Sequence, residues 1–136
     1  MQVKKYIFQS HGDNRGNLIA IEEGRDIPFK ISRVYYMYDT KAEVRRGFHA
    51  HKSLEQILIC VNGSCKVLLD DGKEKMEVLL EKPHEGLYVS SGIWREMFDF
   101  SDGAVLMVLA SEIYDESDYI RNYEEFLAYI EGRELL

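Results

Sequence analysis

The sequence has few of the residues and segments that mark disulfide-linked, zinc-binding or membrane-spanning proteins. Its two cysteines, Cys60 and Cys65, form no Cys-x-x-Cys pattern, so we expect buried free thiols. No stretch approaches the roughly 18 apolar residues of a spanning helix, and the N-terminus lacks the apolar core of a signal peptide, which predicts a cytoplasmic protein. Basic residues are also scarce: 17 Lys and Arg stand against 24 Asp and Glu, giving a net charge of -7. This charge disfavours nonspecific nucleic-acid binding but leaves room for a local basic groove that binds a diphosphate.

Short strand-like segments make up most of the 136 residues, and the length predicts a single domain over residues 1–136. Turn signals recur at roughly 8–12-residue spacing, which is typical of an all-β sandwich or barrel. We predict strands at 5–8, 18–23, 31–38, 57–62, 65–69, 75–80, 87–89, 94–100 and 104–110, and a polar loop at 11–17. Only the C-terminal tail has the residue spacing of a helix instead of the strand pattern. There Tyr123, Phe126, Leu127 and Ile130 form the stripe of an amphipathic helix, at about 119–132, that packs outside the β-core.

Two histidines lie at the centre of the most informative stretch, Arg45 to Gln56. In an extended segment His49 and His51 project to the same face, because side chains alternate with period 2 along a strand. Further on, the same alternation places Arg95, Met97 and Asp99 on one face of their strand, opposite Trp94, Glu96, Phe98 and Phe100. The histidine pair, followed by the carboxamide of Gln56 at the start of the next strand, predicts a small-molecule site inside a barrel.

The segment Gly47-Phe48-His49-Ala50-His51-x4-Gln56-x6-Gly63 resembles the first cupin motif, and Gly86 to Arg95 resembles the second. Cupins are double-stranded β-helix (jelly-roll) barrels, so the resemblance agrees with the strand pattern. More narrowly, R-G-F-H-A-H, the Leu-Glu-Gln that follows, G-L-Y-V-x-x-G-I-W-R-E-M-F-D-F and V-L-A-S-E-I-Y-D-E-S-D-Y-I-R-N-Y are similar to the dTDP-4-keto-6-deoxyglucose 3,4-ketoisomerases. The similarity runs over nearly the whole chain.

The sequence departs from metal-binding cupins at two of the four ligand positions. Gln56 stands where those proteins have Glu, and Arg95 stands where they have the last His. A carboxamide is a poor ligand and a guanidinium cannot coordinate, so we predict neither a catalytic metal nor any other cofactor. Glu55 becomes a ligand only with a one-residue shift in register, which turns a strand side chain to the other face.

The resemblance implies an isomerase that moves the carbonyl from C4 to C3 of a dTDP-sugar through an enediol. Its histidines can exchange protons near neutral pH. The resemblance assigns His51 as the base and His49 as the proton donor or shuttle. Tyr35 and Arg95 are the candidates for stabilising the enediolate, Arg95 because the strand face that it shares with Met97 should point inward. Gln56 and Trp94 are expected to contact the substrate, although Gln56 is also interpretable as a buried amide that holds a histidine tautomer.

Arginines are the expected diphosphate ligands, because their planar fork pairs with phosphate oxygens. Arg46 is the first candidate, and Arg15 and Arg33 are weaker ones. The resemblance places Arg15 nearer the sugar, reaching across a homodimer in which N-terminal strands are exchanged. Family members differ at the positions of Arg15 and Arg95, which makes these residues candidate determinants of the product, a galactose- or glucose-configured 3-keto sugar, with galactose favoured.

Other functions remain open at this stage. They are another metal-free sugar-nucleotide cupin such as a 3,5-epimerase, a metal-dependent cupin enzyme, and a noncatalytic sugar-binding module. The leading prediction is a ketoisomerase that supplies a 3-amino-3,6-dideoxyhexose for glycans, lipopolysaccharide, S-layers or glycosylated metabolites.

Overall fold

The computed structural model describes residues 1–134, and the last two residues of the predicted domain, 135 and 136, lie outside this range. Twelve strands and one α-helix follow each other in the described chain. The strands are β1 (Lys4–Ile7), β2 (Ser10–Asp13), β3 (Gly16–Ile19), β4 (Arg33–Met37), β5 (Arg46–His51), β6 (Gln56–Asn62), β7 (Cys65–Asp70), β8 (Lys75–Leu80), β9 (Glu85–Val89), β10 (Trp94–Phe98), β11 (Val105–Ala110) and β12 (Tyr119–Ile120). The helix, α1, spans Tyr123–Glu134.

Two five-stranded antiparallel sheets form the body of the molecule, in the orders β1-β9-β6-β11-β4 and β12-β5-β10-β7-β8. Their facing side chains make the main core, which includes Leu58, Val67, Met97 and Leu106. The alternation along β7 shows why: Cys65, Val67 and Leu69 are buried, while the residues between them are partly exposed. This arrangement confirms the predicted cupin jelly-roll fold.

Strand β11, whose sequence is continuously apolar, contributes side chains to core clusters on both of its faces. Leu106 and Val108 belong to the core between the sheets. Leu109 belongs to a second cluster, in which Ile27 and Phe29 cover the outer face of the first sheet. The segment that precedes β4 therefore covers a surface that would otherwise be exposed and apolar.

The predicted loop at 11–17 is instead a hairpin. Strands β2 and β3 pair antiparallel from Ser10↔Ile19 to Asp13↔Gly16. Arg15 lies in the connecting turn, where Asp13 accepts hydrogen bonds from its backbone and its side chain. The strand expected at 18–23 ends at Ile19. Polar side chains hid this hairpin, because neither of its strands has a buried face.

The C-terminal helix begins four residues later than the predicted start near 119. Residues Tyr119 and Ile120 pair with His51 and Ala50 as strand β12, which takes them out of the helix. The helix then packs on the outside of the second sheet through Phe126, as its apolar stripe predicted. Its position brings the preceding residues, 115–121, to the end of β5.

The inward and outward alternation of side chains along β10 is broken at Asp99, the residue after the end of the strand. Asp99 adopts a left-handed conformation with φ 53°, so Phe100 joins the core with Met97 instead of sharing a face with Trp94. Cys60 and Cys65 are buried free thiols, as expected. Across residues 1–134, no helix has both the length and the apolar character needed to cross a membrane.

Candidate active site

A cavity of about 480 Å³ opens between the ends of the two sheets. Its walls are formed by β4, β5 and the segment that carries β12. The polar and aromatic side chains that face it include Arg33, Tyr35, Arg46, His49, Tyr119 and Arg121. This volume lies within the range of small-molecule sites, and the wall holds three guanidinium groups beside a histidine.

The two predicted histidines lie side by side on β5. Their ring centroids are 5.0 Å apart with an interplanar angle of 86°. His49 reaches the cavity wall, whereas His51 is fully buried behind it. The buried Nε2 atom of His51 has no hydrogen-bond partner among residues 1–134. Buried polar atoms are normally hydrogen-bonded, so this nitrogen is available to accept a proton.

A β-bulge in β5 determines which arginine faces the cavity. Gly47 and Phe48 have φ values of 94° and 57°, and the pairing with β10 shifts register between Arg95 and Glu96. Strict alternation would place Arg46, three residues before His49, on the outer face. The extra residue reverses this: Arg46 lines the cavity, and Arg45 instead pairs with Glu96 on the outside, 2.6 Å away.

Asp118 holds His51, and the sequence analysis did not identify this residue. Its Oδ2 atom lies 3.1 Å from Nδ1 of His51. The same carboxylate accepts backbone hydrogen bonds from Ser53 at 2.8 Å and Leu54 at 3.3 Å. An ionised carboxylate can only accept, so His51 carries its proton on Nδ1 and presents the lone pair of Nε2 to the interior.

Arg95 and Gln56 are both buried and connect to Tyr35. Arg95 donates through Nη1 to the amide oxygen of Gln56 and through Nη2 to the Ile93 carbonyl, 2.9 Å away. Gln56 donates in turn to the Tyr35 hydroxyl at 2.8 Å. Gln56 makes these bonds instead of holding a histidine tautomer, which is the role of Asp118. Arg95 points inward as the alternation predicted, although it lies behind the cavity wall.

The electrostatics of the site favour neutral imidazoles. Burial, and then the nearby Arg95 charge, lower the pKa of His49 to about 4. The same two causes lower the pKa of His51. Burial also lowers the pKa of Arg95 to about 10, which leaves it charged at neutral pH. Burial raises the pKa of Tyr35, so its hydroxyl keeps its proton. Both histidines can therefore accept a proton at pH 7, next to a fixed positive charge.

Two further residues of the tail, Tyr119 and Arg121, complete the site and were also missed. The Tyr119 ring lies 4.3 Å from the His51 ring, and Arg121 stacks over Tyr119 at 4.1 Å. Arg121 is held by Glu116, with Nε 2.7 Å from the carboxylate. The S-D-Y-I-R run contains all three missed side chains, but only the pairing of β12 with β5 brings them to the histidines.

Among the weaker diphosphate candidates, Arg33 reaches the cavity. Its guanidinium stacks on the Tyr35 ring at 5.1 Å and on the Tyr114 ring at 5.7 Å. Its Nε and Nη2 atoms are buried, and neither has a hydrogen-bond partner over the described range 1–134. A cation in this state is available to an anionic ligand.

Two predicted site residues lie elsewhere in the protomer. Arg15 is exposed at the tip of the β2–β3 hairpin and pairs with Asp13 at 2.6 Å. Trp94, expected to contact the substrate, is buried beneath α1 against Tyr123 and Phe126, and it donates to Glu96. Its neighbour Arg95 takes the inward position, so alternation along β10 turns Trp94 to the outer face. The structure therefore corrects the expected role of Trp94.

The residues at the cavity do not fit a cupin metal centre. Glu55 is directed to the other side of the first sheet, where it accepts a hydrogen bond from the Tyr88 hydroxyl. Within the described range of 1–134, no three or more His, Cys, Asp or Glu side chains are grouped as metal ligands. The Arg95 guanidinium at the fourth ligand position would repel a divalent cation.

Comparisons with known proteins give one consistent family. Residues 1–131 match the family described as FdtA, "WxcM-like, C-terminal". A TDP-4-oxo-6-deoxy-alpha-D-glucose-3,4-oxoisomerase of Aneurinibacillus thermoaerophilus is 57% identical over 130 residues, covering 96% of this chain and 94% of that protein.

Solved structures agree with this assignment. The chain is similar to the sugar 3,4-ketoisomerase QdtA of Thermoanaerobacterium thermosaccharolyticum in complex with TDP, with 47% identity, a TM-score of 0.94 and 96% of each chain covered. A mutant of QdtA in complex with TDP-4-keto-6-deoxyglucose gives 46% identity and a TM-score of 0.95, covering 98% of this chain and 97% of that one. The 3'-monoepimerase ChmJ of Streptomyces bikiniensis, at 18% identity and a TM-score of 0.74, shares the fold alone.

Proposed function

The chain belongs to the FdtA family of cupin-fold sugar 3,4-ketoisomerases and is an isomerase, and on this premise we propose that its substrate is dTDP-4-keto-6-deoxyglucose. The observation that supports this most directly is the cavity itself. It combines His49, with His51 buried beside it, and the Arg95–Gln56–Tyr35 hydrogen-bond chain with a wall that carries Arg33, Arg46 and Arg121. The histidines can transfer protons, the hydrogen-bond chain from Arg95 to Tyr35 can stabilise an enediolate, and the three arginines can bind a diphosphate.

We revise the roles expected for the two histidines. His49 faces the cavity, so it is the better candidate for removing the proton from C3 of the sugar. His51 is buried behind it, with Nδ1 held by Asp118 and Nε2 without a hydrogen-bond partner in the described part of the chain. This arrangement suits a residue that receives the proton from His49 or returns it to C4, and the Asp118 carboxylate stabilises the resulting imidazolium.

The enediolate oxygen requires a donor that stays protonated. Tyr35 lines the cavity, and burial raises its pKa. Arg95 lies behind it and supplies positive charge through Gln56. Preorganised donors of this kind typically contribute a factor of about 10²–10³ to kcat. No residue in this scheme requires a metal.

The diphosphate of the substrate would bind at the three arginines of the cavity mouth. Arg46 is exposed at the cavity, so its guanidinium can rotate toward phosphate. Arg33 has two buried nitrogens that find no hydrogen-bond partner within residues 1–134, and Arg121 is kept in place by Glu116 and Tyr119. Arginine forks in these positions would pair with the phosphate oxygens and leave the sugar beside His49.

We infer a galactose-configured product from the position of the imidazoles. In a 3-keto-6-deoxygalactose the hydrogen at C4 lies on the same ring face as the hydrogen removed from C3. His49 and His51 project from one strand, so one wall of the cavity can serve both transfers. A glucose-configured product needs the proton at C4 to arrive from the opposite face.

We also infer a homodimer with exchanged N-terminal strands. In the single protomer, Ile7 and Leu18 are 66% and 61% exposed, and β4 is an unpaired edge of its sheet. Exposed apolar side chains and an open edge both favour association. Such an exchange would carry Arg15 from the hairpin tip to the partner's cavity. The 3-keto product suits transamination at C3, which supports a role in supplying a 3-amino-3,6-dideoxyhexose.

The deciding experiment is proton NMR of metal-analysed protein mixed with dTDP-4-keto-6-deoxyglucose in D2O. We expect the carbonyl to appear at C3 with deuterium at C4, at an unchanged rate after chelator treatment. In H2O, a small H4–H5 coupling would identify the galactose configuration, and a large one would identify glucose. An unchanged substrate, or turnover only after a divalent metal is added, would contradict the proposal. Epimerisation at C3 or C5 would indicate an epimerase instead.

A further inference from the structure

Gln56 is hydrogen-bonded at both ends of its side-chain amide. It is the first residue of β6 and is only 1% exposed. Arg95 donates to its oxygen, and its nitrogen donates to the Tyr35 hydroxyl at 2.8 Å. A guanidinium can only donate, so the amide must present its oxygen to Arg95 and its NH2 group to Tyr35. The contact with Arg95 thus fixes the orientation of Gln56.

This orientation also determines the direction of the Tyr35 proton. A phenol has a single O–H donor, and its oxygen also accepts hydrogen bonds. Because the oxygen accepts the Gln56 N–H, the Tyr35 proton must point away from Gln56. Tyr35 lines the cavity, so the remaining direction includes the space where a ligand would lie.

Arg95 adds a positive charge to the hydrogen bonds between Gln56 and Tyr35 without reaching the cavity wall. It is 1% exposed, and its two Nη atoms donate hydrogen bonds to Gln56 and to the Ile93 carbonyl. Its positive charge polarises the Gln56 amide, which strengthens donation to Tyr35 and in turn makes the Tyr35 O–H a better donor. A metal-binding cupin has a carboxylate at this sequence position. Because a carboxylate only accepts hydrogen bonds, it would turn the Tyr35 O–H toward residue 56 and away from the cavity.

We propose that Gln56 is a positioning residue that makes Tyr35 an obligate hydrogen-bond donor to the C4 oxygen of the substrate as the enediolate forms. The proposal rests on the proposed ketoisomerase function. It explains the amide at position 56 by the chemistry of the reaction, since an amide can accept from Arg95 and donate to Tyr35 at once, which a carboxylate cannot.

Two substitutions of similar size separate this role from a structural one. In Gln56→Glu the carboxylate pairs with Arg95 but accepts from Tyr35, so the hydroxyl turns away from the substrate. In Gln56→Met the hydroxyl is free to rotate, while Arg95 loses a buried partner. The proposal expects kcat to fall about 10²–10³-fold in Gln56→Glu and about tenfold in Gln56→Met. KM should stay within threefold in both variants, and the thermal midpoint should fall more in Gln56→Met. A structural role expects the less stable Met variant to lose more activity.

A double-variant cycle with Tyr35→Phe completes the test. We expect Gln56→Glu to cost nothing further once the Tyr35 hydroxyl is absent. Glu55→Gln serves as the matched control, because this neighbour contacts Tyr88 on the other side of the sheet, and its kcat should stay within twofold of wild type. The proposal is overturned if Met costs more kcat than Glu, if Gln56→Glu keeps kcat within threefold, or if the Glu and Phe losses multiply. Failure of the ketoisomerase assignment itself would show separately, as an absence of turnover in the wild-type protein.

Discussion

At the scale of single residues, the contact between His51 and Asp118 determines the state of the buried imidazole. The carboxylate also accepts from the backbone of Ser53 and Leu54, so it is held rigidly at the corner after β5. A rigid acceptor at Nδ1 keeps Nε2 unprotonated and directed to the interior. The two-residue alternation in sequence predicted the pair of rings, but it contained no information about this partner 67 residues away.

Replacing Asp118 with Asn should therefore impair catalysis more than folding. The amide can keep the packing, but its NH2 group can stabilise the wrong tautomer of His51, so we expect kcat to fall about 10²-fold with KM nearly unchanged. Steady-state kinetics and thermal unfolding would measure the two effects. Asp102→Asn, at an exposed turn, is the control and should leave kcat unchanged. Equal kcat values in the two variants would show that Asp118 does not set the tautomer.

The lowered pKa of His49 leads to a prediction about pH. A base acts in its neutral form, so activity is retained above its pKa and is lost as the pH falls through that value. Burial and Arg95 lower this pKa to about 4, so kcat/KM should hold constant from neutral pH to about pH 5 and decline only near pH 4.

A pH–rate profile, with circular dichroism at each pH to confirm the native state, measures this directly. A decline centred near the ordinary histidine pKa of about 6.5 would show that the base is neither buried nor close to Arg95 in the working enzyme.

At the scale of elements, the bulge in β5 positions both an arginine and a histidine. Gly47 adopts φ 94°, and a Cβ atom there would lie 2.9 Å from the carbonyl oxygen of Arg95. The bulge turns Arg46 inward without moving His49 out of the wall. Strict two-residue alternation along β5 would place Arg46 on the face opposite His49. The left-handed bulge inserts one extra residue between them, so both side chains face the cavity.

Gly47→Ala should disturb both stability and the site. The strained φ and the close carbonyl predict a loss of about 1–3 kcal/mol in the free energy of unfolding, together with a rise in KM as Arg46 shifts. Urea unfolding and steady-state kinetics would measure these changes. The matched control is Gly132→Ala in α1, where an added Cβ meets nothing within 4 Å and should stabilise the helix slightly. Unchanged stability in Gly47→Ala would exclude a structural need for this glycine.

The segment that carries β12 connects the helix to the chemistry. Its two strand residues pair with Ala50 and His51, and the helix that follows anchors it through Phe126 on Trp94. This anchoring explains why Trp94 is buried far from the cavity mouth. Asp118, Tyr119 and Arg121 all depend on this docking for their place beside the histidines.

At the scale of the whole molecule, the inferred dimer places Arg15 in the partner's cavity. This geometry can be tested by mixing Arg15→Ala, which should change the product, with His49→Asn, which should be inactive, under conditions that let subunits exchange. A heterodimer would then contain one site with both substitutions and one site with neither, so formation of the wild-type product should recover to roughly a quarter of the wild-type rate.

Sedimentation of the wild-type protein provides the control for this experiment. It shows whether the protein is a dimer, because two monomeric variants could not share a site. No recovery in a mixture shown to contain heterodimers would place Arg15 in its own subunit's site or outside the site altogether.

Local patterns in the sequence determined most strands, although not the β2–β3 hairpin or β12, and they determined the β7–β8 hairpin at Asp71-Gly72, the apolar run of β11, the histidine pair and the amphipathic helix. Each of these depends on neighbours within a few residues, so alternation, turn residues and helical spacing suffice to predict it. The departures at Gln56 and Arg95 from the cupin metal ligands were likewise visible in the sequence.

Only the tertiary structure decided which residues meet. It placed Asp118, Tyr119 and Arg121 at the histidines, turned Trp94 under the helix and brought Arg46 inward through a bulge. These outcomes depend on pairing between β5 and β12, on a left-handed backbone at Gly47 and Phe48, and on the docking of α1. They arise from contacts between segments as far apart as Ala50 and Ile120, whose side chains show no shared periodicity along the chain.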